Sequence, residues 1–145
     1  MAIKVSAYRE VALPAKVIAG YMFDPVNDPV WIGGISEATL LTGVPVRKGA
    51  QVIRKAKFLG KTVEYILEVE EFIANHLMVM ESVKGPFPMK VIYRLDKLDD
   101  QRTKVSIEIG GTSKGFYKIG DWLMQPMIRK NISADLKRLQ SVLEK

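Results

Sequence analysis

Apolar and polar residues alternate at the start of the chain. Ile3, Val5, Ala7, Arg9 and Val11 fall on one side and Lys4, Ser6, Tyr8 and Glu10 on the other, which is the period of a half-buried strand. Pro14 suits the first turn of a helix, and Val17, Ile18, Tyr21 and Met22 then share one side of a short helix over 15–23. Asp24-Pro25 ends it. Asn27-Asp28-Pro29 opens a second short turn that leads to Trp31-Ile32 and breaks at Gly33-Gly34. A strand is expected over 37–42, closed by Gly43-Val44-Pro45.

Segments 50–58 and 61–72 make the clearest hairpin, joined at Leu59-Gly60. With those two residues as the loop, pairing runs outward from Phe58 opposite Lys61. Lys55 then faces Glu64 and Gln51 faces Glu68, on the side shared with Ile53 and Ile66. The other side receives Val52, Arg54, Ala56 and Phe58 with Val63, Tyr65, Leu67 and Val69. This puts Arg54 on the apolar side, directly opposite Tyr65. A one-residue slip would turn it outward.

Segment 76–84 is apolar on both faces: Leu77 and Val79 share a side with Glu81, Met78 and Met80 share the other with Ser82, and the pattern leaves open which is inside. After the stiff loop Gly85-Pro86-Phe87-Pro88, segment 89–98 sets Met89, Val91, Tyr93 and Leu95 against Lys90, Arg94 and Asp96. Segment 104–109 returns with Val105, Ile107 and Ile109 inward. From Phe116 to Glu144, Phe116, Ile119, Leu123, Met127, Ile132, Leu136, Leu139 and Leu143 follow the 3.6 period of one long helix. Pro126 lies inside it and is expected to bend it or divide it near Gln125. The pattern is that of an α+β protein. About seven strands with a single long helix leave a sheet face that the helix only partly fills, so an apolar cavity is expected.

A chain of 145 residues with 48% hydrophobic and 26% charged residues reads as one folded unit over 1–145, with no repeat or linker. No stretch has the ~20 apolar residues of a membrane span, and the N-terminus has no signal-peptide run. A cytoplasmic protein is therefore expected. The net charge of +6 raises the question of nucleic acid. However, Arg47, Lys48, Arg54, Lys55, Lys57 and Lys61 are followed at once by Glu64, Glu68, Glu70 and Glu71, and the basic residues of the last helix are interrupted by Asp121, Asp135 and Glu144. These read as solvated faces, and nucleic-acid binding is not expected. With no cysteine and His76 as the one histidine, neither a Cys/His nucleophile pair nor a zinc site can be assembled, and no cofactor is expected.

The opening strand ending VALPAKV, the helical pair with DPVNDPVWIGGI, the segment GVPVRKGAQV before a strand, FLGK at the hairpin and the closing helix together resemble the START-like, or SRPBCC, superfamily (polyketide cyclase/dehydrase and lipid transport). The resemblance spans essentially the whole chain. It implies a helix-grip fold: a curved antiparallel sheet of about seven strands around the C-terminal helix, with two short helices after the first strand. It also implies a cavity between sheet and helix that in relatives takes lipids, sterols, quinones or polyketides. Some relatives are cyclases or dehydrases; others carry or sense a ligand.

The expected partner is a small hydrophobic molecule. The expected lining is Trp31, Arg54, Phe58, Tyr65, Leu67, Glu81, Phe87, Val91, Tyr93, Ile107, Phe116, Leu123 and Met127. Arg54 and Tyr65 would hold the ligand's polar end, unless Arg54 instead reaches an internal acid such as Glu81 or snorkels to the mouth. No residue is assigned as catalytic. An enzyme of the cyclase kind would draw on Glu81, Tyr65 or Tyr93 as acid–base groups. An interaction module is a third reading: Met78, Met80, Ile66 and Ile92, if outward, would form an apolar patch and a homodimer surface.

Overall fold

In a computed structural model the chain forms β1 (Lys4–Val11), α1 (Ala15–Met22), a 3-10 turn (Pro25–Asn27), α2 (Asp28–Trp31), β2 (Ile35–Leu40), β3 (Gln51–Phe58), β4 (Lys61–Ile73), β5 (Leu77–Lys84), β6 (Lys90–Asp99), β7 (Arg102–Gly110) and α3 (Asp121–Leu143). The structure describes residues 4–43, 45–58, 60–85, 88–110 and 121–144, with side chains for all of these except 58 and 121–125. The expected start of the last helix, from Phe116 to Gly120, lies outside the described residues.

All seven strands form one antiparallel sheet in the order β1-β7-β6-β5-β4-β3-β2. Strands β2 to β7 meander by consecutive hairpins, and β1 closes on β7 at the far edge. Register shifts interrupt the ladders at Ile35/Glu37, Ile66/Leu67, Val69/Glu71 and Lys97/Asp99. Each such bulge bends its strand, and the sheet curls so that one face receives α2 and α3. The hairpin pairs as its two-residue loop requires: Phe58 with Lys61, Lys55 with Glu64, Arg54 with Tyr65 and Gln51 with Glu68.

The face of β5 left open by its sequence is settled by its neighbours. Met78 is paired with Tyr93, and Met80 with Val91 and Val69, and all of these are buried in the core. Leu77, Val79 and Glu81 therefore lie on the opposite side, where Leu77 and Val79 line a shallow groove with Glu70, Lys90 and Arg94. The outward methionine patch does not form, because both methionines are needed to fill the core. Ile66 and Ile92 remain half-buried.

Ile132, Leu136 and Leu139 are buried on one stripe of α3, as helical periodicity requires. The helix runs unbroken through Pro126. That residue is exposed, on a side where a backbone carbonyl that loses its partner can turn to water. Near its end, α3 is tied to β1: Glu144 accepts from the Ala12 amide at 2.9 Å, Gln140 donates to the Glu10 carbonyl at 3.2 Å, and Arg9 donates to Gln140. No described helix is long and apolar enough to cross a membrane.

One glycine positions a site residue. Gly85 has φ +135°, and a Cβ placed there would lie 2.5 Å from the Cβ of Tyr65. Only glycine permits that approach, so the chain leaving β5 can lie directly against Tyr65.

Candidate ligand site

A cavity of about 250 Å³ lies between the inner face of the sheet, the segment Trp31–Ile35 and α3. The sheet contributes Arg54, Ala56, Val63, Tyr65, Met89, Val91, Tyr93, Ile107 and Ile109. The helix contributes Met127, Ile128, Asn131, Ile132 and Asp135. The lining is mostly apolar; Lys57 and Asn131 also border it, and its buried polar side chains are Arg54, Tyr65, Tyr93 and Asp135.

Arg54 is 5% exposed. Its Nε donates to Asp28 Oδ2 at 3.0 Å. One terminal nitrogen lies 2.9 Å from the same oxygen and donates to the Tyr93 hydroxyl at 3.0 Å. The other terminal nitrogen makes no hydrogen bond to a described residue. Asp28, 2% exposed, stands behind Arg54 and away from the cavity wall. It is brought there by the short helix whose first residue it is. Burial raises the Asp28 carboxyl, and the pull of Arg54 offsets only part of that rise. Burial likewise opposes the guanidinium charge, but Asp28 and then Tyr93 outweigh it and hold Arg54 well above its usual value. The two side chains form a salt bridge inside the core.

Tyr93 is fixed by its ring as well as its hydroxyl. It stacks on Phe23 with centroids 6.3 Å apart and meets Trp31 at 5.7 Å. Burial, above all, pushes its phenol far up, so it keeps its proton and remains a donor. The Trp31 Nε1–H is buried without a partner among the described residues, and the Tyr65 hydroxyl makes no hydrogen bond to one of them.

On the helix side, Asp135 Oδ1 accepts from the Gly33 amide at 2.9 Å and from Arg138 at 3.2 Å, while Arg138 also donates to the Trp31 carbonyl at 2.8 Å. Asp135 and Arg138 thus clasp the segment after α2 to α3 at the cavity's edge. Burial, the largest influence on Asp135, raises its carboxyl against the pull of Gly33 and Arg138. Among the described residues no cluster of His, Cys, Asp and Glu is arranged to hold a metal ion.

No family model matches the sequence, and no curated protein does. Solved structures do resemble it. The Zhui aromatase/cyclase from Streptomyces sp. R1128 superposes with a TM-score of 0.77 at 14% identity, over 99% of this chain and 94% of that one. A START superfamily protein from Mycobacterium smegmatis gives 0.69 at 20% identity, over 97% and 94%. The major latex-like protein 151 of Panax ginseng gives 0.71 at 12% identity, over 97% and 96%.

The fold is START-like. Identities this low establish the architecture and leave the chemistry to the residues themselves.

Within this START-like fold, seven expected lining residues border the cavity: Trp31, Arg54, Tyr65, Val91, Tyr93, Ile107 and Met127. Leu67 is buried in the core but is not part of the wall. Glu81 is on the wrong side of the sheet. It faces the outer surface, where a hydrogen bond shared with Glu81 raises the Glu70 carboxyl, so neither the acid–base role nor the pairing with Arg54 falls to it. Phe87, Phe116 and the side chains of Phe58 and Leu123 lie outside what the structure describes. The two acids that matter had other readings in the sequence, Asp28 as a turn former and Asp135 as part of a solvated face. Asp135 nevertheless sits in the same helical stripe as Ile132, Leu136 and Leu139, and that position marked it as inward.

Two measurements check this geometry. Arg54→Met leaves Asp28 buried without its counter-charge and is expected to lower stability in urea unfolding by about 3–5 kcal/mol, while adding Asp28→Leu restores most of that loss. Asp135, raised above the ordinary 3.8, adds stability that is fully present below that value and is lost as pH rises through its folded pKa. Asp135→Asn should therefore gain melting temperature relative to the wild type as pH rises from acid towards neutrality; a constant difference would contradict the burial described.

Proposed function

We propose that residues 1–145 form one ligand-binding unit that takes a compact, largely apolar molecule into this cavity, with its polar end against Arg54 and Tyr93. The observation that carries this is the coexistence of an apolar hollow with buried donors at one end that the described residues leave unspent. A fully packed core would have satisfied or excluded them. Apolar walls supply affinity at about 25 cal/mol per Å² of surface buried, before ordering costs, and the donors fix orientation. A volume of about 250 Å³ is near the lower end of ligand pockets, commonly about 300–1,000 Å³, and favours a molecule of one or two rings over a long-chain lipid.

Methyl 2-naphthoate, a neutral two-ring ester, is a suitable probe. Saturable binding is expected by calorimetry. Ala56→Trp, which fills the cavity from β3, should weaken it by at least about tenfold with the circular dichroism spectrum preserved. Unchanged affinity in that variant would place the probe elsewhere.

A second reading is a cyclase-like enzyme, and one arrangement favours it: the Arg54 and Tyr93 donors and the Asp135 carboxylate border the same cavity. Donors of this kind polarise a carbonyl, and a carboxylate raised by burial is suited to take the proton beside it. One of the similar structures is an aromatase/cyclase by name. On this reading the chain turns over a small linear β-polyketone, and Asp135→Asn abolishes turnover while retaining binding; no product from the wild type, by mass spectrometry, leaves the carrier reading alone.

A further inference from the structure

An arginine in the wall of an apolar cavity would ordinarily select an anion, because a carboxylate gives it paired, charge-assisted hydrogen bonds. In this cavity that opportunity is already taken. Asp28 holds Arg54 from behind at 2.9 and 3.0 Å, with the two side chains 3% and 5% exposed. A second carboxylate, Asp135, borders the cavity itself and is 7% exposed. Its counter-ion Arg138 lies 3.2 Å away, with a side chain 44% exposed to solvent. An entering anion would meet an arginine already paired with Asp28 and, in the same cavity wall, a second acidic side chain whose partner Arg138 is partly turned to solvent, and like charges repel. What the polar end does offer is hydrogen-bond donation without net charge. The second terminal nitrogen of Arg54 and the hydroxyl of Tyr65, both residues of the cavity wall, make no hydrogen bond to a described residue.

We infer that Asp28 is a specificity-determining residue that makes the cavity select uncharged molecules bearing a hydrogen-bond acceptor, such as a ketone, ester or quinone carbonyl, and reject carboxylates. The inference rests on the binding reading above and goes beyond it. Asp28 does not touch the ligand; it acts by cancelling the charge of the residue that does.

The test compares two ligands of one skeleton, methyl 2-naphthoate and 2-naphthoate, by calorimetry at neutral pH, where the second is an anion. The wild type should bind the ester at least about tenfold more tightly. In Asp28→Asn the exposed charge of Arg54 should tighten naphthoate binding by at least about tenfold and narrow or invert the preference. Asp28→Asn also weakens the fold, so two readouts stand beside it: the wild-type preference, which needs no variant, and melting temperature, which naphthoate should raise more than the ester does in the variant. A purely structural pair would change stability and leave the preference alone, and that result would overturn the inference. Naphthoate binding as tightly as the ester in the wild type would also overturn it while leaving the cavity a binding site. Binding of neither compound to the wild type would sink the binding reading and the inference together.

Discussion

The interior of this protein is organised around one buried arginine. Arg54 comes from the third strand and points inward because a two-residue hairpin loop sets its register. Once there, it must be answered, since an unpaired guanidinium in a low-dielectric core costs several kcal/mol. Asp28 supplies the answer and Tyr93 completes it. These three residues link the helical segment after β1, the hairpin and the sixth strand. A displacement of α2 would strand the charge, so the ion pair keeps the short helices seated on the sheet. The same requirement holds open the polar end of the cavity.

A matching clasp works on the other wall. Asp135 and Arg138 bind the Gly33 amide and the Trp31 carbonyl, so α2 is gripped from the sheet side by Arg54 and from the helix side by α3. Trp31, fully buried between them, is held through its backbone carbonyl by Arg138 and through its ring by Tyr93 rather than by its own indole nitrogen. Both walls of the hollow thus carry polar locks beside their apolar contacts.

The architecture was legible because periodicity and turn chemistry agreed at nearly every step. The Leu59-Gly60 loop was enough to place Arg54 opposite Tyr65. Reading failed where a residue's type and its position disagreed. Leu77 and Val79 are apolar yet lie on the outer face, shielded in part by the long side chains of Lys90, Arg94 and Glu70, so their strand looked two-faced. The same ambiguity admitted Glu81 to the expected lining. Asp28 and Asp135 were read by charge as turn and surface residues, whereas burial came from their neighbours: a proline and a tryptophan beside one, a leucine stripe beneath the other. Pairing across elements is invisible to local pattern, and the site consists of such pairings.

The edge of the sheet carries one more consequence. Val5 of the first strand lies beside Ile109 of the seventh, so the first strand has no partner in the sheet until the seventh is in place. Until then its backbone donors and acceptors, and the apolar side bearing Val5 and Val11, have nothing to rest against. Such non-local closure slows folding relative to helical proteins of similar size. It also makes the β1–β7 seam, tied to the end of α3 through Arg9, Glu10 and Ala12, a contact between segments far apart in sequence.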